Sequence, residues 1–283
     1  MKLLALLGGV ACAAVLFISP AQAEQLPRWE IGLGAAGITI PDYRGSDERR
    51  NYLLPFPYIA YRLDWLKADR YGVRAKLIDS DRVELNVSLG ATPPVRSDRN
   101  HARVGMPGLK PMLEIGPSLD INLWRSLKRG MRLDLRLPLR AAATVSSQPE
   151  AAGWSFTPRL NVDIAKLGIS DAAKEGWRLG LVAGPVFADH RQNAYFYSVS
   201  PQFALPNRGA YDARGGYSGM QFLASLSRRY GNAWVGAYAR RDSLKGAVFE
   251  GSPLVKTSSY FSAGFAVTWT IGQSSEMIDI EEN

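Results

Sequence analysis

Two histidines, His101 and His190, are the only imidazoles in the 283-residue chain, and Cys12 is its only thiol. A histidine two residues from a serine on one strand face could take the hydroxyl proton and create a nucleophile. Position 103 is Arg and position 192 is Gln, so neither histidine has that neighbour. His101 ends the polar run Ser97-Asp98-Arg99-Asn100, and His190 stands between Asp189 and Arg191. Only a distant serine brought close by folding would make either catalytic, and the plain alternative is a surface histidine. Two imidazoles with one thiol also make a poor metal set. Gly32-Leu33-Gly34 and Gly215-Gly216 complete no phosphate-binding loop and open no helix. The expectation is a non-enzyme with no catalytic, metal or cofactor-binding residues.

Charges that recur at every second position carry more information. Residues 131–140 read Met-Arg-Leu-Asp-Leu-Arg-Leu-Pro-Leu-Arg, with Leu133, Leu135, Leu137 and Leu139 on one face. Arg132, Asp134, Arg136 and Arg140 occupy the other. The same alternation sets Arg74 and Lys76, Glu84, Glu114 and Asp120, Arg159 and Asp163, and Arg178 opposite apolar neighbours. A period of two is that of a β-strand. Apolar residues on one face and dense charge on the other suit a barrel wall with lipid outside and a polar interior. These twelve charged residues are therefore the candidate lumen lining. They could form an anion-favouring pore, or pair across a small barrel and fill it.

Twelve segments have strand character: 28–40, 53–63, 70–78, 82–91, 112–123, 131–143, 154–164, 177–188, 194–203, 217–229, 233–241 and 259–271. Most are longer than soluble strands and match tilted membrane strands. The expected fold is all-β, a transmembrane antiparallel up-and-down β-barrel of about twelve strands. Pro117, Pro138, Pro158 and Pro185 fall inside these runs, where an internal strand tolerates proline only at a bulge. Gly116-Pro117 and Gly184-Pro185 are the expected kinks. Trp29, Trp154 and Trp177 begin strands, while Trp124 and Trp269 end them, as interfacial aromatics do. With both termini on the periplasmic side and all twelve strands real, loop 41–52 faces outward and 92–110 faces the periplasm. There its basic residues could meet wall enzymes or glycan. A miscounted strand would turn the segment outward instead.

Met1-Lys2, the apolar run Leu3–Ile18 and Ala21-Gln22-Ala23 have the layout of a secretory signal peptide over 1–23. The barrel is then expected over 24–272, followed by an acidic, mobile tail over 273–283. Cleavage would remove Cys12, excluding disulfides. The net charge of +8 would ordinarily suggest nucleic acid. Export and the spread of basic residues over many strands point instead to anionic lipid headgroups or glycan.

Several segments in order resemble the MipA/OmpV family of MltA-interacting outer-membrane proteins. They are Pro41-Asp42-Tyr43-Arg44-Gly45-Ser46-Asp47, Pro55-Phe56-Pro57-Tyr58 and Gly116-Pro117-Ser118-Leu119-Asp120. Further along come Tyr195-Phe196-Tyr197-Ser198-Val199-Ser200, Tyr211-Asp212-Ala213-Arg214-Gly215-Gly216-Tyr217, and 240–248 with 250–255. The resemblance implies a barrel in contact with outer-membrane lipid. It also implies a scaffold bridging a lytic murein transglycosylase and a bifunctional penicillin-binding protein. It supplies no catalytic residues. The alternative is a barrel that passes or binds a small solute. Many barrels end on an aromatic residue, whereas twelve residues follow Ile271 here, so any assembly signal is internal or the extension stays periplasmic.

Overall fold

In a computed structural model of the chain, residues 24–61, 66–69, 72–79, 82–126, 130–167 and 176–280 are described. The expected signal peptide, 1–23, lies outside them. The strands in chain order are β1 Glu24–Pro27, β2 Trp29–Pro41, β3 Arg49–Tyr61, β4 Leu66–Asp69 and β5 Gly72–Asp79. Then come β6 Val83–Thr92, β7 Met112–Ser126, β8 Met131–Thr144, β9 Ala151–Phe156 and β10 Arg159–Leu167. The last are β11 Trp177–Ala188, β12 Gly216–Tyr230, β13 Ala233–Ser243, β14 Ser259–Gln273 and β15 Met277–Ile280. Among the described residues one α-helix, α1, spans His190–Tyr197.

The main sheet is an antiparallel meander, ordered β3-β2-β14-β13-β12-β11-β10-β8-β7-β6-β5-β4, with β9 joined to β8 and β11. The last long strand thus pairs with the first, from Ala263 opposite Thr39 to Gln273 opposite Glu30. Eleven of the twelve expected runs supply its strands. The exception is 194–203, which holds the end of α1 and a short turn of helix at Pro201–Phe203. Asp189 starts α1 by accepting a hydrogen bond from the Gln192 amide, the capping that exposed helix amides require. Gly153 fits beside this cap because it has φ +99° and no Cβ, which would lie 2.1 Å from Asp189 Oδ1.

The prolines sit where the ladder yields. Pro158 divides one strand into β9 and β10. Pro185 borders a register shift against β12. At Gly116 a Cβ would stand 2.0 Å from the Leu139 carbonyl, so glycine permits the close approach to β8. Pro55 and Pro57 lie on β3, opposite Ala35 and Leu33 of β2.

The burial pattern is inverted relative to a soluble domain. Leu53 is 76% exposed, and Leu33, Ile59, Phe265 and Ile271 stand on the same outer surface. Asn86, Ser118, Asp134, Arg136, Asn161 and Asp242 are buried. Polar groups therefore face the interior of the sheet and apolar groups face out.

Two expectations change. The short β4 adds a pass between β3 and β5, so segment 93–111 emerges at the same end as the β2–β3 loop. Asn100 donates to Asp42 Oδ2 at 2.9 Å and to Ser46 Oγ at 3.1 Å, which ties the two together. The periplasmic placement of 92–110 is thereby corrected, because a strand was missed. Met277–Ile280, read as part of a mobile tail, pairs antiparallel with β1.

Candidate functional site

The connections 42–48, 93–111, 145–150, 189–215 and 244–258 all leave the sheet at one end. They supply the largest apolar core of the described residues. Tyr43, Val95, Ala102, Leu109, Tyr197, Val199, Ala213, Leu244, Ala247, Phe249 and Leu254 are buried together there. Phe249 stacks on Tyr197 with centroids 3.7 Å apart, and Tyr43 meets Tyr197 edge-on at 6.3 Å. This cap seats on the sheet where Tyr195 and Phe196 pack on Met112, Ala142 and Ala152.

Polar contacts stitch the cap through backbone carbonyls. Tyr43 Oη donates to Leu254 O at 2.8 Å, Tyr197 Oη to Arg44 O at 3.0 Å, and Ser252 Oγ to Tyr197 O at 2.6 Å. Arg208 donates to the carbonyls of Ala102, Val104 and Phe203. Arg103 donates to Phe196 O at 3.0 Å while its guanidinium lies 5.8 Å from the Tyr43 ring centre. Burial pushes the Tyr43 and Tyr197 hydroxyls well above the ordinary phenol range, and for Tyr43 the Arg103 charge acts in the opposite sense. Burial also lowers Arg103 below the usual arginine value.

Beneath the cap lie the charges expected from sequence. Arg140 Nε donates to Ser88 Oγ at 2.9 Å, and its Nη1 stands 3.7 Å from Glu114 Oε2. Glu114 also accepts from Ser155 and from Gln192 of α1, both at 3.2 Å. Further from the cap, Arg136 lies 3.3 Å from Asp120 and 3.9 Å from Asp134. Arg132 Nε donates to Asp134 at 2.7 Å, and Asn122 donates to the same oxygen at 3.1 Å. Arg159 is opposite Arg136 and Asp163 opposite Arg132 in the β10–β8 ladder, while Arg178 is opposite Ser227. Glu84 stands opposite Asp120, with its Oε1 buried and, among the described residues, without a hydrogen-bond partner. Arg74 and Lys76 are on β5, whose side chains lie outside the described residues. The structure thus joins Glu114, Asp120, Arg132, Asp134, Arg136 and Arg140 in interior ion pairs.

Three interior clusters escaped the sequence reading. Asp242, fully buried, accepts from Arg44 Nε at 3.2 Å, Arg240 Nε at 2.8 Å and Gln221 Nε2 at 2.9 Å. Asp42 accepts from Arg50 Nε at 2.6 Å as well as from Asn100. Glu30 accepts from Arg229 Nη2 and Tyr58 Oη. The alternation Tyr238, Arg240, Asp242 could have revealed the first, being a period-two face on a run with weak apolar alternation.

Both histidines belong to the cap surface. His101 Nδ1 is 2.6 Å from Glu48 Oε1, and His190 Nε2 is 3.0 Å from Asp212 Oδ1. Each faces a carboxylate.

The family model described as MltA-interacting protein MipA matches residues 33–271. No curated protein matches the chain. Among solved structures, a bacterial polysaccharide outer membrane secretin is similar at 10% identity and TM-score 0.44, over 86% of this chain and 99% of that one. The Pseudomonas putida toluene transporter TodX is similar at 11% identity and TM-score 0.24, over 95% of this chain and 72% of that one.

Proposed function

The chain belongs to the MltA-interacting protein MipA family, and on that premise we propose that it is an outer-membrane barrel acting as a scaffold for murein enzymes. Its interior is shut, and it holds the lytic transglycosylase MltA at the inner side of the membrane. A bifunctional penicillin-binding protein is the second partner of the same scaffold. The two ends of the strand order, β3 and β4, are consecutive in sequence, and their meeting closes the sheet into a ring without free edges. Lipid covers the outer face around Leu53 and Phe265. Trp124, Tyr230 and Trp269, exposed toward the uncapped end, sit at an interface.

The observation that carries the scaffold reading is the cap. A packed core over one mouth, above ion-paired walls, is built to stay closed. The cap commits the loops of its end to one another. The opposite end carries the β1–β15 ribbon and the short β12–β13 turn, and it faces the periplasm and the partner. The test reconstitutes the full mature chain in planar bilayers and in vesicles carrying purified MltA. Silence in the bilayer and capture of MltA from the uncapped side are expected. Steady open-channel currents would overturn the shut interior and favour solute passage. Silence without capture would remove the scaffold role.

A further inference from the structure

Below the cap the interior holds a cavity of about 220 Å³, spanned by β8, β10, β11, β12 and β13. Arg140, Arg159, Arg240, Gln221, Tyr238 and Thr157 line it. Among the described residues no aspartate or glutamate does. The balancing carboxylates stand off the wall: Glu114 is 3.7 Å from Arg140 Nη1, and Asp242 is 2.8 Å from Arg240 Nε. Asp242 serves Arg44 as well as Arg240, so one carboxylate answers two guanidiniums. Arg240 engages it through Nε, and among the described residues no hydrogen bond takes its two Nη groups.

We infer that this cavity is a binding site for a small oxyanion, a carboxylate or phosphate carried on a compact solute. The inference rests on the sheet enclosing an interior, as the barrel reading holds, but on no particular murein partner. Several guanidiniums in a partly desolvated wall favour negative charge, and their planar forks match the oxygens of carboxylate and phosphate. Gln221 and Thr157 add neutral polar groups, and the Tyr238 ring offers a flat face for a carbon skeleton. The volume falls below the ~300 Å³ at which drug-sized ligand sites begin. The occupant is therefore inorganic phosphate or a single sugar acid, and a glycan chain is excluded.

The test uses the full mature protein, folded in detergent micelles and titrated calorimetrically with inorganic phosphate, with glucuronate and with neutral glucose. A heat-dependent shift in migration in detergent gels reports separately that the sheet has closed. Loss of that signature counts against the barrel, while failure to bind in a closed protein counts against the site. Saturable binding of phosphate, glucuronate or both is expected, with none for glucose. The stronger of the two identifies the source of the oxyanion. Arg240→Gln and Arg159→Gln each weaken binding at least about tenfold, the scale of one lost charge-assisted hydrogen bond. Arg49→Gln, on the exposed outer rim, leaves it unchanged. Absent anion binding, equal binding of glucose, or loss on Arg49→Gln would overturn the inference. If Arg240→Gln fails to fold through its tie to Asp242, Arg159→Gln decides. If neither variant folds, the wild-type preference for anions over glucose, with the Arg49→Gln control, decides.

Discussion

Replacing Phe249 by Ala separates the cap from the wall beneath it. The ring is fully buried, stacks on Tyr197 at the end of α1 and packs with Leu244 and Leu254 in a core to which no strand contributes a buried residue. A buried Phe→Ala change costs about 3–5 kcal/mol through lost transfer energy and the cavity left behind. At about 1.4 kcal/mol per factor of ten, the open population of the cap rises by roughly two to three and a half orders of magnitude. No strand loses a residue, so the sheet keeps its own hydrogen bonds. Amide hydrogen exchange reads both parts at once. Amides such as Leu109, Val199, Tyr211 and Val255, bonded within the cap, should exchange faster by that factor, whereas those of β12, β13 and β14 should hold. Equal acceleration in both regions would show a single cooperative unit and refute the treatment of the cap as a separable closure. Unchanged cap exchange would refute the energetic role assigned to its core.

Leu53→Arg tests the lipid-facing surface. It should cost about 2–4 kcal/mol if the site lies at the bilayer midplane and almost nothing if that face meets water, measured by reversible folding into lipid vesicles. Asp42→Ala strands the Arg50 guanidinium and the Asn100 amide. Breaking a buried ion pair costs about 3–5 kcal/mol, and the part-exposed Arg50 places this one at or below the lower end. Faster protease cleavage within 93–111 is the readout. Alkaline pH should loosen the cap. The Tyr43 and Tyr197 hydroxyls titrate higher folded than unfolded, so above the unfolded value near ~10 the unfolded chain releases protons that the folded chain retains. Their contribution to stability is complete below that value and is lost as pH rises through the folded value. Tyrosinate absorbance should show delayed ionisation, and Tyr43→Phe with Tyr197→Phe should flatten the pH dependence. Replacing 245–257 by a short linker should destroy the cap core and raise bilayer conductance, whereas unchanged silence would place the block in the wall charges alone.

The wall was legible because its physics is periodic. Alternation places leucine outside and arginine inside on β8 whatever its neighbours do, and the Gly-Pro pairs announced their own irregularities. The pairing of Arg140 with Glu114 and of Arg136 with Asp120 was open as one of two readings, since alternation assigns a side chain to a face but not to a partner. The cap was illegible for the converse reason. Its apolar residues are spread from Tyr43 to Leu254 without a period, inside stretches whose average composition is polar. The run 195–200, Tyr-Phe-Tyr-Ser-Val-Ser, is rich in the aromatic residues that strands favour. Asp189 nevertheless caps a helix just upstream, and aromatic burial in the cap holds it. β4 is only four residues long, too short for periodicity to register, and that omission alone reversed the side assigned to 93–111. The segments carrying the family resemblance at 41–47, 195–200, 211–217 and 240–255 fall largely in the cap, where no repeating pattern constrains residue choice.

Asp242 also sets a clock on biogenesis. Its partner Arg44 is separated from it by 198 positions, and the cap core needs Leu244, Phe249 and Leu254 beside Tyr43. No nascent or truncated chain that stops short of these residues can seal itself. The first loop waits, its arginine without a carboxylate and its tyrosine unpacked, until nearly all the chain has arrived and β14 has found β2. Contacts this distant in sequence form slowly, which makes sealing one of the last events in assembly. A packed cap is thus a certificate of completion: a surveillance protease that cuts exposed loops would spare finished molecules and remove interrupted ones.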